Sequence, residues 1–261
     1  MNKYDVICVI PCRMGSSRFP GKPLFRIAGI PMIQHCWERA VRAYSKERVW
    51  ISTCDTEIVD FAKTLGAQVL ITSDQHERAT ERVVESIALI EMANNIRLEN
   101  VVMLQGDEPL VGIGALKSVA EYFRKNDSAY IVNILSKFQS ENEFLDKNNP
   151  KAVLNYRDEI LYLSREPLPS SWKNFDFEFD YFMQTGIIGF SRQALDDFSS
   201  WDECAIERLE SIDLNRVLYR GGIIKGIKML SATIGVDTLE EAKLAEEIML
   251  KDREFGLYSS N

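Results

Sequence analysis

Short continuous apolar runs alternate, through the first hundred residues, with stretches whose apolar side chains recur every three to four positions. Residues 6–10 form the first run, which reads as a buried strand. Residues 31–43 follow with Met32, Ile33, Cys36, Trp37, Ala40 and Val41 at helical spacing. The alternation continues with a strand at 49–53, a helix at 58–65 closed by Gly66, a strand at 68–71, a long amphipathic helix at 78–93 and a fourth strand at 101–104. Strands that alternate with helices predict βαβ units and a parallel sheet. Right-handed crossovers then carry the C-terminal strand ends to one edge, so the loops after the first and fourth strands should face one cleft.

The pattern loosens after residue 111. Residues 112–125 predict a helix and 129–135 a strand. Short strands are expected at 152–155 and 160–163, and another at 186–190. Residues 167–182 are aromatic and proline-bearing, which suggests an excursion from the core. Residues 206–218 and 239–251 read as helices. No repeat, low-complexity segment or linker divides the chain, so one α/β domain spanning residues 1–261, with an inserted smaller subregion at about 130–200, is the economical reading.

Composition narrows the classes. The 261 residues are 46% hydrophobic and 27% charged, enough for a full core in a soluble globular fold. A net charge of −8 argues against nucleic acid as a partner. An acidic protein that binds a polyanion needs a local basic loop, a metal, or both. Five cysteines form no C-x-x-C pair and fit a reducing, cytoplasmic setting, and two histidines make a Cys/His zinc site improbable. No signal peptide or membrane-length apolar run is expected.

Five segments carry candidate chemistry. Residues 10–24, directly after the first strand, hold Arg13, Ser16, Ser17, Arg18, Gly21 and Lys22. Forked guanidiniums, a point charge and glycines that let N–H groups approach oxygens suit a phosphate chain; a solvated basic turn is the plainer alternative. Residues 104–110, Leu-Gln-Gly-Asp-Glu-Pro-Leu, close the fourth strand. Asp107 there suits a hard cation, or else the segment is a turn with two solvated acids. In Asp237-Thr238-Leu239-Glu240-Glu241, Thr238 and Glu241 read as a capping box, which leaves Asp237 unexplained and able to join Asp107 at a metal. Arg165, in Tyr162-Leu163-Ser164-Arg165, either clamps a carboxylate or phosphate or pairs with Glu166 on the surface. Glu207, Glu210 and Asp213, three residues apart on an expected helix, share a face, either toward a polyhydroxylated ligand or toward solvent.

In this order, Arg13-x-x-Ser16-Ser17-Arg18-Phe19-Pro20-Gly21-Lys22-Pro23-Leu24, Gln105-Gly106-Asp107-Glu108-Pro109, Tyr162-Leu163-Ser164-Arg165 and Val236-Asp237-Thr238 resemble the 3-deoxy-manno-octulosonate cytidylyltransferase (CMP-Kdo synthetase) family over nearly the whole chain. The resemblance implies a Rossmann-like nucleotidyltransferase fold with a mostly parallel central sheet, its subregion at about 130–200 serving the sugar side and a homodimer. It implies CTP, Mg²⁺ and attack by the anomeric hydroxyl of a 2-keto sugar acid, Kdo or a Kdo-like acid, on the α-phosphate, giving a CMP-sugar and pyrophosphate for lipopolysaccharide or capsule. By position, Arg13, Ser16, Arg18 and Lys22 would grip the triphosphate, with Arg13, Lys22 and Asp107 as the catalytic set. Asp107 and Asp237 would hold the metal. Gln105 would sit near the cytosine or the sugar acid, and Arg165, Gln184, Glu207, Glu210 and Asp213 would face the sugar acid.

Departures gather at the sugar end. Arg78 and Ala79 stand where the family has a small, flexible pair, Gln184 replaces a His, and Asp213 replaces a Glu. They imply a modified octulosonic or a nonulosonic (sialic-type) acid as acceptor. A non-catalytic nucleotide-binding homologue is the other alternative, and the presence of Lys22, Asp107 and Asp237 counts against it.

Overall fold

The computed structural model describes residues 6–16, 18–170, 178–229 and 234–259. Ser17 of the basic loop and residues 171–177 of the expected aromatic excursion lie outside the described residues.

The elements run β1 (Val6–Pro11), β2 (Arg26–Ile27), β3 (Ile30–Pro31), α1 (Met32–Tyr44), β4 (Val49–Thr53), α2 (Thr56–Thr64), β5 (Gln68–Ile71), α3 (Ala79–Asn94), β6 (Asn100–Leu104), α4 (Ile113–Lys125), β7 (Ile131–Lys137), α5 (Glu141–Leu145), β8 (Lys151–Leu154), β9 (Ile160–Ser164), β10 (Phe182–Ser191), α6 (Arg192–Ser200), α7 (Ala205–Glu210), α8 (Leu214–Tyr219), β11 (Ile224–Met229) and α9 (Leu239–Met249). The main sheet has the order β11-β7-β10-β6-β1-β4-β5, with β8 and β9 attached as a hairpin to β10. β1 pairs in parallel with both β4 and β6, and β5 with β4. β10 runs antiparallel between β6 and β7, and β11 returns parallel to β7. The α/β class with a mostly parallel sheet is as the periodicity predicts.

The apolar runs are continuous because both sheet faces are covered. Cys8 and Ile10 of β1 point into a cluster with Ile33, Cys36 and Val119, from α1 and α4. Ile7 and Val9 point into the opposite cluster, with Val83 and Ile87 of α3 and Phe198 of α6. A smaller cluster seats α9 against Ile27 and Met32. Beneath it the buried Arg39 guanidinium donates to Asp252 Oδ2 and to Glu254 Oε2 at 3.0 Å.

Two features depart from the sequence reading. The helix expected at 206–218 is two short helices, α7 and α8, parted at Ser211, whose φ of 52° lies in the left-handed region. The sequence reading also did not anticipate β2, β3, α5, α6 or β11. β11 reads Ile-Lys-Gly-Ile-Lys-Met at the sheet edge, so its apolar content is too thin to stand out.

β10 carries the irregularity that shapes the site. Gln184 lies opposite Leu135 but Ile188 opposite Asn133, so β10 bulges over Thr185–Ile187. Asn133 fills the gap, its Nδ2 donating to the carbonyls of Thr185 at 3.1 Å and Ile187 at 3.0 Å. Thr185 Oγ1 closes it by donating to Ile134 O at 2.7 Å.

Candidate active site

The C-terminal ends of β1 and β6 emerge side by side, and the loops they feed meet where parallel crossovers place them. The loop after β1 folds back on itself through Gly21, whose φ of 76° suits glycine and whose N–H donates to Met14 O at 3.0 Å. Met14 N–H is anchored on Asp55 Oδ2 at 2.7 Å, and Ser16 Oγ accepts from Phe19 N–H at 3.3 Å. Arg13 Nη1 reaches His76 O at 3.3 Å.

The loop after β6 is fixed with equal care. Gly106 N–H donates to Pro11 O at 3.3 Å, and a Cβ there would come within 2.9 Å of Cys12 Cβ, so only glycine allows the two loops to lie this close. Gln105 N–H donates to Gly186 O at 2.9 Å. Gly186 N–H donates in turn to Glu108 Oε1 at 2.7 Å, so the β10 bulge and the β6 loop grip each other.

Lys22 joins the three loops. Its Nζ lies 2.7 Å from Asp107 Oδ2 and 2.7 Å from Asp237 Oδ1, and Arg18 Nη2 lies 2.6 Å from Asp237 Oδ2. Burial pulls the Lys22 ammonium down, but Asp107 and Asp237 outweigh it and hold the group above its ordinary value. Asp237 arrives here on the first residues before α9. There Thr238 and Glu241 form the expected capping box, and Glu241 Oε2 also accepts from Asp237 N–H at 2.7 Å.

Glu108 was not singled out by sequence reasoning. It is buried, its Oε2 has no hydrogen-bond partner, and burial, with Asp107 and Asp237 nearby, pushes its carboxyl up to about 7. The only signal for it is its place next to Asp107.

Two adjoining cavities open on this centre. The first, about 480 Å³, is lined by Arg13, Ser16, Lys22, Arg82 and Gly106, and the second, about 370 Å³, by Asn148, Arg165, Gln184, Asp213 and Asp237. Arg18, Gln105 and Asp107 line both. The structure therefore brings Arg13, Ser16, Arg18, Lys22, Gln105, Asp107, Arg165, Gln184, Asp213 and Asp237 together.

It does not bring Glu207 or Glu210 to either cavity. Glu207 is fully buried and meets Arg216 with both oxygens, at 2.7 and 2.8 Å. Glu210 accepts from Tyr162 OH, Ser164 Oγ and the Arg165 N–H, so it holds the β9 end. Glu207 and Glu210 both lie on α7 and are taken by Arg216 and by the β9 end, and the break at Ser211 parts Asp213 from them. Asp213, beyond that break, accepts from Thr80 Oγ1 at 2.6 Å and stays at the second cavity.

Asp107 and Asp237 already converge on one cation, the Lys22 ammonium, and offer only oxygen. Among the described residues no group of three or more His, Cys, Asp or Glu side chains is set to hold a metal. Two carboxylates that depend on substrate oxygens and water for the rest suit Mg²⁺, which keeps several such ligands. The residues fit that ion.

The chain is similar to known proteins over most of its length. The family model for cytidylyltransferases matches residues 7–230. A 3-deoxy-manno-octulosonate cytidylyltransferase of Coxiella burnetii is 34% identical over 240 residues, covering 89% of this chain and 95% of its own. One from Pseudomonas syringae pv. tomato is 36% identical over 249 residues, covering 92% and 96%. A solved CMP:2-keto-3-deoxy-manno-octonic acid synthetase complexed with CTP superposes with a TM-score of 0.84 at 30% identity, covering 95% of this chain and 99% of that one. A putative glucose-1-phosphate thymidylyltransferase of Bacillus anthracis, at 15% identity and a TM-score of 0.68, shares the fold.

Proposed function

The chain belongs to the cytidylyltransferase family, and from that membership we propose that it joins CTP to 3-deoxy-manno-octulosonate, releasing pyrophosphate. The observation that carries this reading is the Lys22–Asp107–Asp237 centre at the junction of two cavities, one basic and one mixed. The nucleotide takes the first cavity, with Arg13, Arg18 and Lys22 neutralising its triphosphate. The sugar acid takes the second.

The anomeric hydroxyl oxygen forms a bond to the α-phosphorus, the bond from that phosphorus to the β-phosphate oxygen breaks, and the hydroxyl proton passes to solvent. Such transfer depends on alignment and charge neutralisation more than on a protein nucleophile. Asp107 and Asp237 would hold Mg²⁺, which when bound supplies charge stabilisation at the phosphate oxygens. Gln105, pinned through its N–H to the bulge, stands at the junction where both substrates pass.

The acceptor named for the relatives supports the plain octulosonic acid over a nonulosonic one. Arg78, Ala79 and Gln184 are then changes of lining around that acid. A homodimer in the cytoplasm belongs to the same proposal. Light scattering tests the dimer, and among the described residues no helix is long and apolar enough to cross a membrane.

Pyrophosphate release from CTP with a panel of sugar acids tests the function. Best turnover with 3-deoxy-manno-octulosonate, and its collapse in Asp107→Asn, is expected. Best turnover with a nonulosonic acid would refute the acceptor, and full activity in Asp107→Asn would refute the site.

A further inference from the structure

The two cavities share a wall, and the chemistry of the acceptor decides what must stand there. Resting on the functional reading above, we propose that Arg78 binds the carboxylate of the acceptor sugar acid. In the ring form of a 2-keto sugar acid, the anomeric carbon bears both the nucleophilic hydroxyl and the carboxylate. A hydroxyl aligned on the α-phosphorus therefore brings its carboxylate to the junction between nucleotide and acceptor cavities. The cation that receives it has to touch both.

Among the described residues, the cations that line both cavities are Arg18 and Arg78. Arg18 is turned toward Asp237 at 2.6 Å and Asn148 Oδ1 at 2.5 Å. Arg165 lines only the second cavity, and main-chain carbonyls hold its guanidinium: Nε donates to Glu210 O at 2.7 Å, Nη1 to Lys147 O at 2.9 Å and Nη2 to Ser211 O at 3.3 Å. Arg165 thus positions the wall. Arg78 differs. Its Nη1 donates to Ser211 Oγ at 2.8 Å and its Nη2 lies 3.2 Å from Glu203 Oε1, while its Nε is buried without a partner.

The backbone that launches Arg78 is fixed. It is the N-cap of α3, and its N–H donates to Glu81 Oε2 at 3.2 Å. Burial lowers the Arg165 guanidinium below its ordinary value, with Arg18 and Arg78 pushing it down and Asp237 and Glu210 pulling it up. Of the five N–H groups of Arg78, Ser211 and Glu203 take one on each Nη, and a carboxylate at the junction takes a remaining Nη N–H.

Steady-state kinetics with CTP and 3-deoxy-manno-octulosonate compare the wild type with Arg78→Met and Arg78→Lys. Loss of a charge-assisted contact raises the acceptor KM roughly 10- to 100-fold, with the CTP KM within about twofold. Arg78→Lys recovers part of the loss, because it keeps the charge without the fork. A second readout sets the free acid against its methyl ester as competing ligands. The wild type prefers the acid, and Arg78→Met loses that preference.

Glu203→Gln separates binding from scaffolding, since it removes the ion pair and leaves the cation in place. It keeps the acid-over-ester preference if Arg78 binds the carboxylate. A Glu203→Gln enzyme that matches Arg78→Met overturns the assignment, and so does an Arg78→Met enzyme with the wild-type preference. Should Arg78→Met not fold, Arg78→Gln gives the same comparison. A wild-type enzyme that does not turn over the acid with CTP refutes the functional reading instead, a result visible before any variant is made.

Discussion

Lys22 stands where a divalent cation would be expected, between Asp107 and Asp237, and replacing it with Met has consequences of opposite sign for metal binding and for catalysis. Each ammonium–carboxylate contact of 2.7 Å is charge-assisted, and such bonds are worth about 1.5–3 kcal/mol each. Both carboxylates have to release Lys22 before they can coordinate a metal. Arg18 stays on Asp237, so the gain from removing Lys22 is nearer one contact than two. That gain corresponds to Mn²⁺ binding roughly 10- to 100-fold tighter in the nucleotide-free Lys22→Met protein. Catalysis moves the other way, because a cation aimed at the triphosphate is gone, and kcat falls by about 10²–10³. Electron paramagnetic resonance titration of Mn²⁺ into the nucleotide-free proteins reads the first effect, and pyrophosphate release the second. If the variant binds Mn²⁺ no tighter than the wild type, Lys22 does not compete for the acids and the reasoning fails.

Four other outcomes follow from the packing. Arg39→Met leaves Asp252 and Glu254 without their buried partner and lowers stability by about 3 kcal/mol in urea unfolding; an unchanged midpoint would rule out that anchor for the C-terminal segment. His35, which accepts from Tyr258 OH at 2.9 Å and donates to Ile27 O at 2.8 Å, is pushed down to about 4 by burial, then by Arg39, against the Ile27 carbonyl. The unfolded chain therefore binds this proton first, so the stabilisation is full above pH ~6.5 and is lost toward pH ~4, by on the order of 3 kcal/mol. His35→Gln should flatten that part of the pH–stability curve, and an equally steep variant would contradict the assignment. Glu207→Gln should lower stability by about 3 kcal/mol while the acceptor KM stays within about twofold; a raised KM at unchanged stability would return Glu207 to the sugar site. Gly186→Ala puts a Cβ 2.7 Å from Gln105 Cβ, and should cost about 1–3 kcal/mol and displace Gln105, detectable as lost turnover at saturating substrate; wild-type turnover would show that the bulge does not set Gln105.

The parallel half of the sheet was legible because its strands are covered on both faces. β1 and residues 101–104 of β6 read as unbroken apolar runs, β4 opens on Val-Trp-Ile, and the helices between them carry their apolar side chains on one face. β11 was hidden because half of its side chains are Lys or Gly at the sheet edge. The β10 bulge was hidden for another reason. Its cause is Asn133, a buried amide some fifty residues upstream, and no local pattern announces that a side chain will fill a gap in a distant strand.

The same distinction separates the two ends of the site. Arg13, Lys22 and Asp107 sit on loops directly after parallel strands, so chain direction alone places them at one edge, and their chemistry reads from sequence. Glu207, Glu210 and Asp213 had only spacing to support them, and spacing means a shared face only while the helix continues. Here the left-handed Ser211 ends it, Arg216 from the next helix takes Glu207 into the core, and the β9 end takes Glu210. The acceptor wall is therefore assembled from turns, a bulge and two helix caps whose partners lie far apart in the chain. This explains why the reaction type is easier to read than the side chains that choose the acceptor. It also gives Arg78 its significance: it is an N-cap residue whose role depends on Ser211, Glu203 and two cavities that no stretch of sequence around it contains.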